Sequence, residues 1–259
     1  MKCRFLFTLI FIFPAYANIY SAYESFNNVV SIGVGTSSVS LSNSKSNRAL
    51  SSITLYQLEV ERLFKNNIWI DLNNSVVVSN LTTQVNGLGS NYNSFKSPFT
   101  QNPNLGGINL NIGYVLLVQD FLITPFINLG RNSNLSTSTV YFNNNKNITH
   151  DFYYTLGTGF KFDFIINQYF MLYLKPFINY NFDQSGPLDG VMPQNNLNYN
   201  IVLGTKFNLY KNLQIGLNSY YSYYQILSDL PLDKNTGYSI YSIVNNSSYG
   251  VNINFGLVY

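Results

Sequence analysis

The chain has 259 residues, of which 46% are hydrophobic, 17% aromatic and only 10% charged, with a formal charge of +3. That balance excludes a disordered, highly charged chain and leaves no electrostatic footprint for DNA or RNA. Asparagine alone accounts for 39 positions, so polarity comes from neutral amides and hydroxyls rather than from Lys and Glu, an unusual surface for a domain bathed in water.

Residues 1–17 read as a secretory signal peptide. Lys2 and Arg4 form a basic start, Phe5 to Phe13 an apolar stretch, and Ala15-Tyr16-Ala17 a small-x-small cleavage site. A membrane anchor needs about 20 apolar residues, whereas this run has nine. The only cysteine, Cys3, lies in the leader, so the expected product, residues 18–259, is one domain with no thiol and no disulfide. Without Lys2 and Arg4 the basic and acidic residues nearly balance.

Beyond the leader the patterned segments alternate with period two and are rich in β-branched and aromatic residues, which reads as all-β. In chain order the predicted strands are 28–40, 51–64, 68–79, 105–118, 121–131, 151–165, 169–181, 197–210, 213–225 and 248–259. Val30, Ile32 and Val34 alternate with Ser31, Gly33 and Gly35. Ile108, Leu110, Ile112, Tyr114 and Leu116 alternate with Asn109, Asn111 and Gly113. Tyr154, Leu156, Phe160, Phe162 and Phe164 oppose Thr155, Gly157, Gly159, Lys161 and Asp163. At the C-terminus Val251, Ile253, Phe255, Leu257 and Tyr259 alternate with Asn252, Asn254, Gly256 and Val258.

The connections alternate strictly. Lys65-Asn66-Asn67, Gln119-Asp120, Ile166-Asn167-Gln168 and Lys211-Asn212 are tight, whereas 41–50, 80–104, 132–150, 182–196 and 226–247 are long and rich in Asn, Ser, Gly and Pro. Short turns at one rim and long loops at the other predict a transmembrane up-and-down antiparallel β-barrel of ten strands, with eight as the alternative. A water-soluble sandwich also alternates, but its outer face carries charge. Here the charges share a face with the small and amide residues, so the aliphatic and aromatic face is expected to meet lipid. Aromatics gather at both strand ends: Phe64, Phe121, Tyr169 and Tyr210 at the turn rim, and Tyr153, Tyr154, Tyr180, Tyr199, Tyr221 and Tyr223 toward the loops.

The leader, the ten alternating strands, the short and long connections and the terminal run ending in Tyr259 resemble Gram-negative outer-membrane β-barrel proteins of the small opacity-protein and OmpA-like kind. The resemblance covers the whole chain after the leader. It implies location in the cell outer membrane, with outer-membrane lipids and the barrel-assembly machinery as partners. It also implies that Val251, Ile253, Phe255, Leu257 and Tyr259 form the C-terminal assembly signal, and that the role is adhesion, antigenicity or envelope structure rather than enzymatic.

Strand parity points Glu59, Glu61, Asp71, Lys161, Asp163, Lys175 and Lys206 into the lumen, most of them near the tight turns. Buried charges are costly unless paired, so these four acids and three bases are expected to form a charge network that fills that end of the barrel. The alternative is a charged constriction in a narrow porin. A catalytic pair of Glu59 and Glu61 would lie at the wrong rim for surface substrates. His150, the only histidine, adjoins Asp151, with Ser133, Ser136 and Ser138 nearby, which leaves a lipid-acting hydrolase as a minor alternative. Outer-membrane proteases of the omptin kind carry an Asp-x-Asp pair and an Asp-x-His pair on strand tops, and this chain has neither. Neither a metal site nor a cofactor is expected from one histidine and scattered loop carboxylates such as Asp183, Asp189, Asp229 and Asp233. Gly33, Gly35, Gly157 and Gly159 face inward and are expected to make room in a crowded lumen. The loops, with Tyr92, Phe95 and Phe99 in the second and Tyr238 and Tyr241 in the last, are the expected recognition surface for host or envelope molecules.

Overall fold

The structure is a computed structural model. It describes residues 21–43, 48–77, 82–85, 95–96, 106–118, 121–133, 152–185, 192–210, 212–230 and 240–259. The leader, His150, Asp151, Ser136, Ser138, Asp189, Asp233, Tyr92, Phe99 and Tyr238 lie outside these residues.

After one short helix over 21–27, the strands in chain order are β1 (Val29–Asn43), β2 (Arg48–Leu63), β3 (Ile68–Val77), the short β4 (Thr82–Val85) and β5 (Phe95–Lys96), and β6 (Gly106–Tyr114). Then come β7 (Leu116–Val118), β8 (Phe121–Ser133), β9 (Phe152–Asn167), β10 (Phe170–Ser185), β11 (Met192–Tyr210), β12 (Leu213–Leu230) and β13 (Ile240–Val258). Neighbours in sequence pair antiparallel around the sheet, and β1 pairs with both β2 and β13, so the sheet closes. β6 and β7 form one stave, because Gly113↔Phe126 and Leu116↔Ile123 keep the same register against β8. The result is a closed antiparallel barrel of ten staves, with β4 and β5 as a short extension beside β2. Closure leaves no unpaired edge along β1 or β13, which a bilayer would not tolerate.

The side-chain polarity is inside out. Ile32 is 65% exposed and Leu257 66%, whereas Asn254 is 4% exposed. Along β13, Val251, Ile253, Phe255 and Leu257 all face outward while Asn252, Asn254 and Gly256 are buried. Phe64, Tyr169, Tyr210 and Tyr259 are exposed at the turn rim, and Tyr154, Tyr180, Tyr199, Tyr221 and Tyr249 are exposed toward the other end. An apolar outer belt between two aromatic girdles is the arrangement that a strand-built membrane span requires.

Two features depart from the sequence expectation. β11, β12 and β13 run to 19, 18 and 19 residues, so parts of the expected loops 182–196 and 226–247 are strand. Ile240 to Val244 pair with Ile226 to Leu230. Hydropathy does not alternate in these extensions, where apolar pairs such as Ile226-Leu227 and Ile243-Val244 and polar pairs such as Asn195-Asn196 and Asn245-Asn246 occupy consecutive positions, even though the backbone ladder continues. The second departure is the helix, taken up below.

At the short rim Asn67 adopts φ 64°, a left-handed conformation that asparagine tolerates. It closes the turn by donating its N–H to Phe64 O at 3.0 Å. Inside the barrel the glycines answer to specific neighbours. Gly33, Gly35 and Gly157 each lie opposite an asparagine (Asn254, Asn252 and Asn179). At all three a Cβ would come within 2 Å of that asparagine's Oδ1. The amide thus lies flat across the neighbouring strand, and any larger residue would displace it. Gly159 sits between Phe126 and Phe177 on the flanking strands, and those rings meet at 6.0 Å. A Cβ there would be 2.4 Å from Phe177 Cβ and 2.5 Å from Pro176 O. Gly159→Ala should therefore cost about 1–3 kcal/mol by overpacking. Gly216→Ala, where the nearest atom is 3.5 Å away, should be near neutral. Urea midpoints of the two variants in lipid vesicles check the contrast.

Candidate functional site

All seven inward charges named from the sequence lie inside the barrel, and six of them are buried. Lys175 is the more accessible, with 12% of its side chain exposed. Six gather in ion pairs. Lys161 Nζ lies 3.5 Å from Glu61 and 3.4 Å from Asp163. Lys206 binds the other oxygen of Glu61 directly. Lys175 pairs with Asp71 at 3.0 Å. Glu59 differs from the expected network because it makes no ion pair among the described residues. It accepts instead from Asn254 Nδ2 at 3.2 Å and from Ser31 Oγ at 3.5 Å. Glu59, Glu61 and Asp71 each bring an oxygen within 4.8 Å of the others. The lysines stand as counter-ions to Glu61 and Asp71 within that group.

The parity reading missed the helix over 21–27, which occupies the barrel interior at the short-turn end. Ala22, Tyr23, Phe26 and Asn27 are all buried, the last three completely. Seven residues are too few for a stable helix in water, so this one persists by burial of its apolar face. Ala22, Tyr23 and Phe26 pack with Leu63, Trp69, Val115, Leu122, Met171 and Tyr173 into the one apolar cluster found among the described residues. The helix also presents its C-terminal end to the lysines. Lys206 Nζ donates to Phe26 O at 3.0 Å, and Lys161 Nζ to Asn27 Oδ1 at 2.5 Å. Cations at the carbonyl end of a helix complement its dipole and satisfy its orphan acceptors. Asn28 ties the plug to the barrel seam, taking Leu63 N–H at 2.8 Å on its side chain and Tyr259 N–H at 3.1 Å on its backbone carbonyl.

Lys161 is the centre of the assembly. Besides its two carboxylates and Asn27, its ammonium lies over Trp69 at 4.9 Å, Tyr173 at 5.5 Å and Tyr23 at 5.9 Å. Ring faces add cation–π attraction to the ion pairs, which helps offset the cost of desolvating the charge. Trp69, Met171 and Tyr173 share strand parity with Asp71 and Lys175. They are large residues on an otherwise small or polar face, close to the turns. That break in the alternation is the sequence signal of a filled lumen, and the Ala22, Tyr23, Phe26 spacing is the matching signal for its filler.

The C-terminal residues Val251, Ile253, Phe255, Leu257 and Tyr259 lie on the outer face. Tyr259 also crosses the closing seam, donating its hydroxyl to Glu61 O at 3.2 Å.

A closed antiparallel barrel with an apolar exterior, a polar interior and a seam paired on both sides of β1 is a transmembrane β-barrel, and its lumen is filled at one end. No protein-family model and no curated protein matches the sequence. Among solved structures the chain is similar to the outer-membrane protease OmpT from Escherichia coli at 10% identity, covering 91% of this chain and 97% of that one with a TM-score of 0.43. It is likewise similar to an outer-membrane channel from Pseudomonas putida F1 (10% identity, 92% and 98% covered, TM-score 0.46). A third is OprG of Pseudomonas aeruginosa (11% identity, 91% and 97% covered, TM-score 0.37). The architecture stated here rests on the strand ladder and the polarity of this chain.

Proposed function

We propose that this chain is a non-enzymatic surface protein of a Gram-negative outer membrane, an adhesin or structural antigen whose barrel is sealed at the periplasmic end and whose long loops face outward for recognition. The observation that carries this reading is the helix over 21–27 packed into the lumen beside the buried ion pairs. Any solute crossing the barrel would have to displace Phe26, Tyr23 and Trp69, all fully buried, and separate the ion pairs of Lys161 and Lys206 with Glu61. The leader and the alternating terminal run support export and insertion through the assembly machinery.

Planar-bilayer recording on the chain refolded in detergent tests the reading. A folded barrel with heat-modifiable migration and no discrete conductance is the expected result. Reproducible channel events altered by Lys206→Ala or Glu59→Gln would overturn it in favour of a narrow porin.

A further inference from the structure

One charged strand residue interrupts the apolar outer face near the short-turn rim. Arg62 lies on β2 between the buried Glu61 and Leu63, and it is exposed, so its side chain leaves the barrel on the face that meets lipid. The seven lumen charges all point the other way. Among the strand residues whose side chains are described, only Arg131, toward the opposite rim on β8, shares this orientation with a charge. A cation on the lipid face is costly in the middle of the belt and tolerated near its edge, where a long side chain can reach polar headgroups.

The side chain of Arg62 runs toward that edge. Its guanidinium lies 4.9 Å from the centre of the ring of Phe64, which follows it on the same face and is nearer the turn. The ring of Tyr259 lies 5.9 Å away. β1 begins opposite Glu61, so its pairing with β2 stops short of Arg62, and Tyr259 flanks the arginine there. Tyr259 is itself fixed across the seam, its hydroxyl donating to Glu61 O at 3.2 Å and its N–H to Asn28 O at 3.1 Å. Ring faces attract a guanidinium but do not neutralise it. Among the described residues Arg62 makes no ion pair and no side-chain hydrogen bond, either with an acidic side chain or with the carboxylate of Tyr259. Its N–H donors are therefore open to an anion from outside the chain. Lys65 is exposed close by in sequence, in the tight turn, and no acidic side chain described at this rim faces outward.

We infer that Arg62 binds the phosphate of an anionic glycerophospholipid in the leaflet at the short-turn rim, between the rings of Phe64 and Tyr259. The planar guanidinium fork matches two phosphate oxygens at once. Phe64 and Tyr259, both exposed in the aromatic girdle, mark the level at which headgroups meet hydrocarbon. Ile70, directly across from Arg62 on β3, begins the apolar surface that an acyl chain would cover. With Arg62 and Lys65 at the rim and no outward acid beside them, a headgroup that lacks an ammonium of its own fits better than a zwitterionic one. The bound lipid spans the place where the barrel closes, because Phe64 ends the β2 side and Tyr259 the β13 side. This site needs only the membrane-spanning barrel and not the recognition role proposed above.

Native mass spectrometry tests it on the chain refolded in a detergent without phosphate and titrated with phosphatidylglycerol or phosphatidylcholine of the same acyl chains. The folded barrel should hold phosphatidylglycerol more tightly by about fivefold or more. Arg62→Gln, an exposed change that leaves the lumen untouched, should lose that preference. Arg62→Lys should keep part of it, since an ammonium retains the charge but not the fork. Inorganic phosphate, which has no acyl chain to lay on the belt, should not displace the lipid. Equal retention of the two lipids, an undiminished preference in Arg62→Gln, or displacement by inorganic phosphate would each overturn the site. These outcomes are separable from the sealed-barrel reading: a silent barrel with no lipid preference defeats only the lipid site, and a conducting barrel that retains the lipid defeats only the seal.

Discussion

Lys161→Met should destabilise the folded barrel by about 3–5 kcal/mol, the usual cost of removing one partner from a buried ion pair. The substitution keeps an unbranched side chain in the ring cage of Trp69, Tyr23 and Tyr173 but removes the charge. Glu61 would retain Lys206, whereas Asp163 would lose the one ion pair recorded for it. Asn27 would also lose its donor, loosening the C-terminal end of the plug helix. Urea unfolding in lipid vesicles, followed by the fluorescence of Trp69, the single tryptophan of the chain, measures the loss. Adding Asp163→Asn to Lys161→Met should recover part of the stability, because the stranded charge disappears with it. A double variant no more stable than Lys161→Met alone would mean that Asp163 is not the group Lys161 neutralises.

Deleting residues 21–27 should have the largest effect on the lumen. The deletion removes Tyr23 and Phe26 from the apolar cluster and the helix carbonyl that Lys206 and Gln214 share. Trp69 would then face water, so its emission should shift to longer wavelength and become accessible to a collisional quencher. The sealed end should open, and discrete conductance should follow where the intact chain is silent. If the deletion blocks refolding, Phe26→Ala gives the same information at smaller scale, with about 3–5 kcal/mol lost from the cavity it leaves. Trp69 emission unchanged in the refolded variants would show that the helix does not shield the lumen.

Both predictions concern the region where local pattern and tertiary contact part company. Inward and outward positions were legible in the sequence because side-chain direction along a strand repeats every two residues and is a local property. Isoleucine at 32 and aspartate at 71 reveal their faces without reference to any partner. Strand number and the sidedness of the rims followed as well, since the tight connections such as Lys65-Asn66-Asn67 contrast plainly with the long Asn-rich ones. The extra length of β11 to β13 was not legible. There the period-two pattern is lost, apolar and polar residues each falling at consecutive positions, and only the ladder of backbone pairing marks residues such as Asn245 and Asn246 as strand.

The choice of partners in the lumen was also beyond a linear reading. Parity sends Glu59 and Glu61 to the same face, but it is the closure of the sheet that puts Glu61 against Lys161 and Lys206, which are 100 and 145 positions away, and leaves Glu59 to Asn254 and Ser31. The helix over 21–27 carries too few residues to declare itself by propensity, and it exists because the barrel supplies a ring of apolar side chains and two lysines for its carbonyl end. Periodicity, a short-range consequence of backbone geometry, therefore determined the barrel and its polarity. The plug and the ion-pair partners were set by the closing of ten staves, which brings together residues whose separation along the chain says nothing of their distance in space.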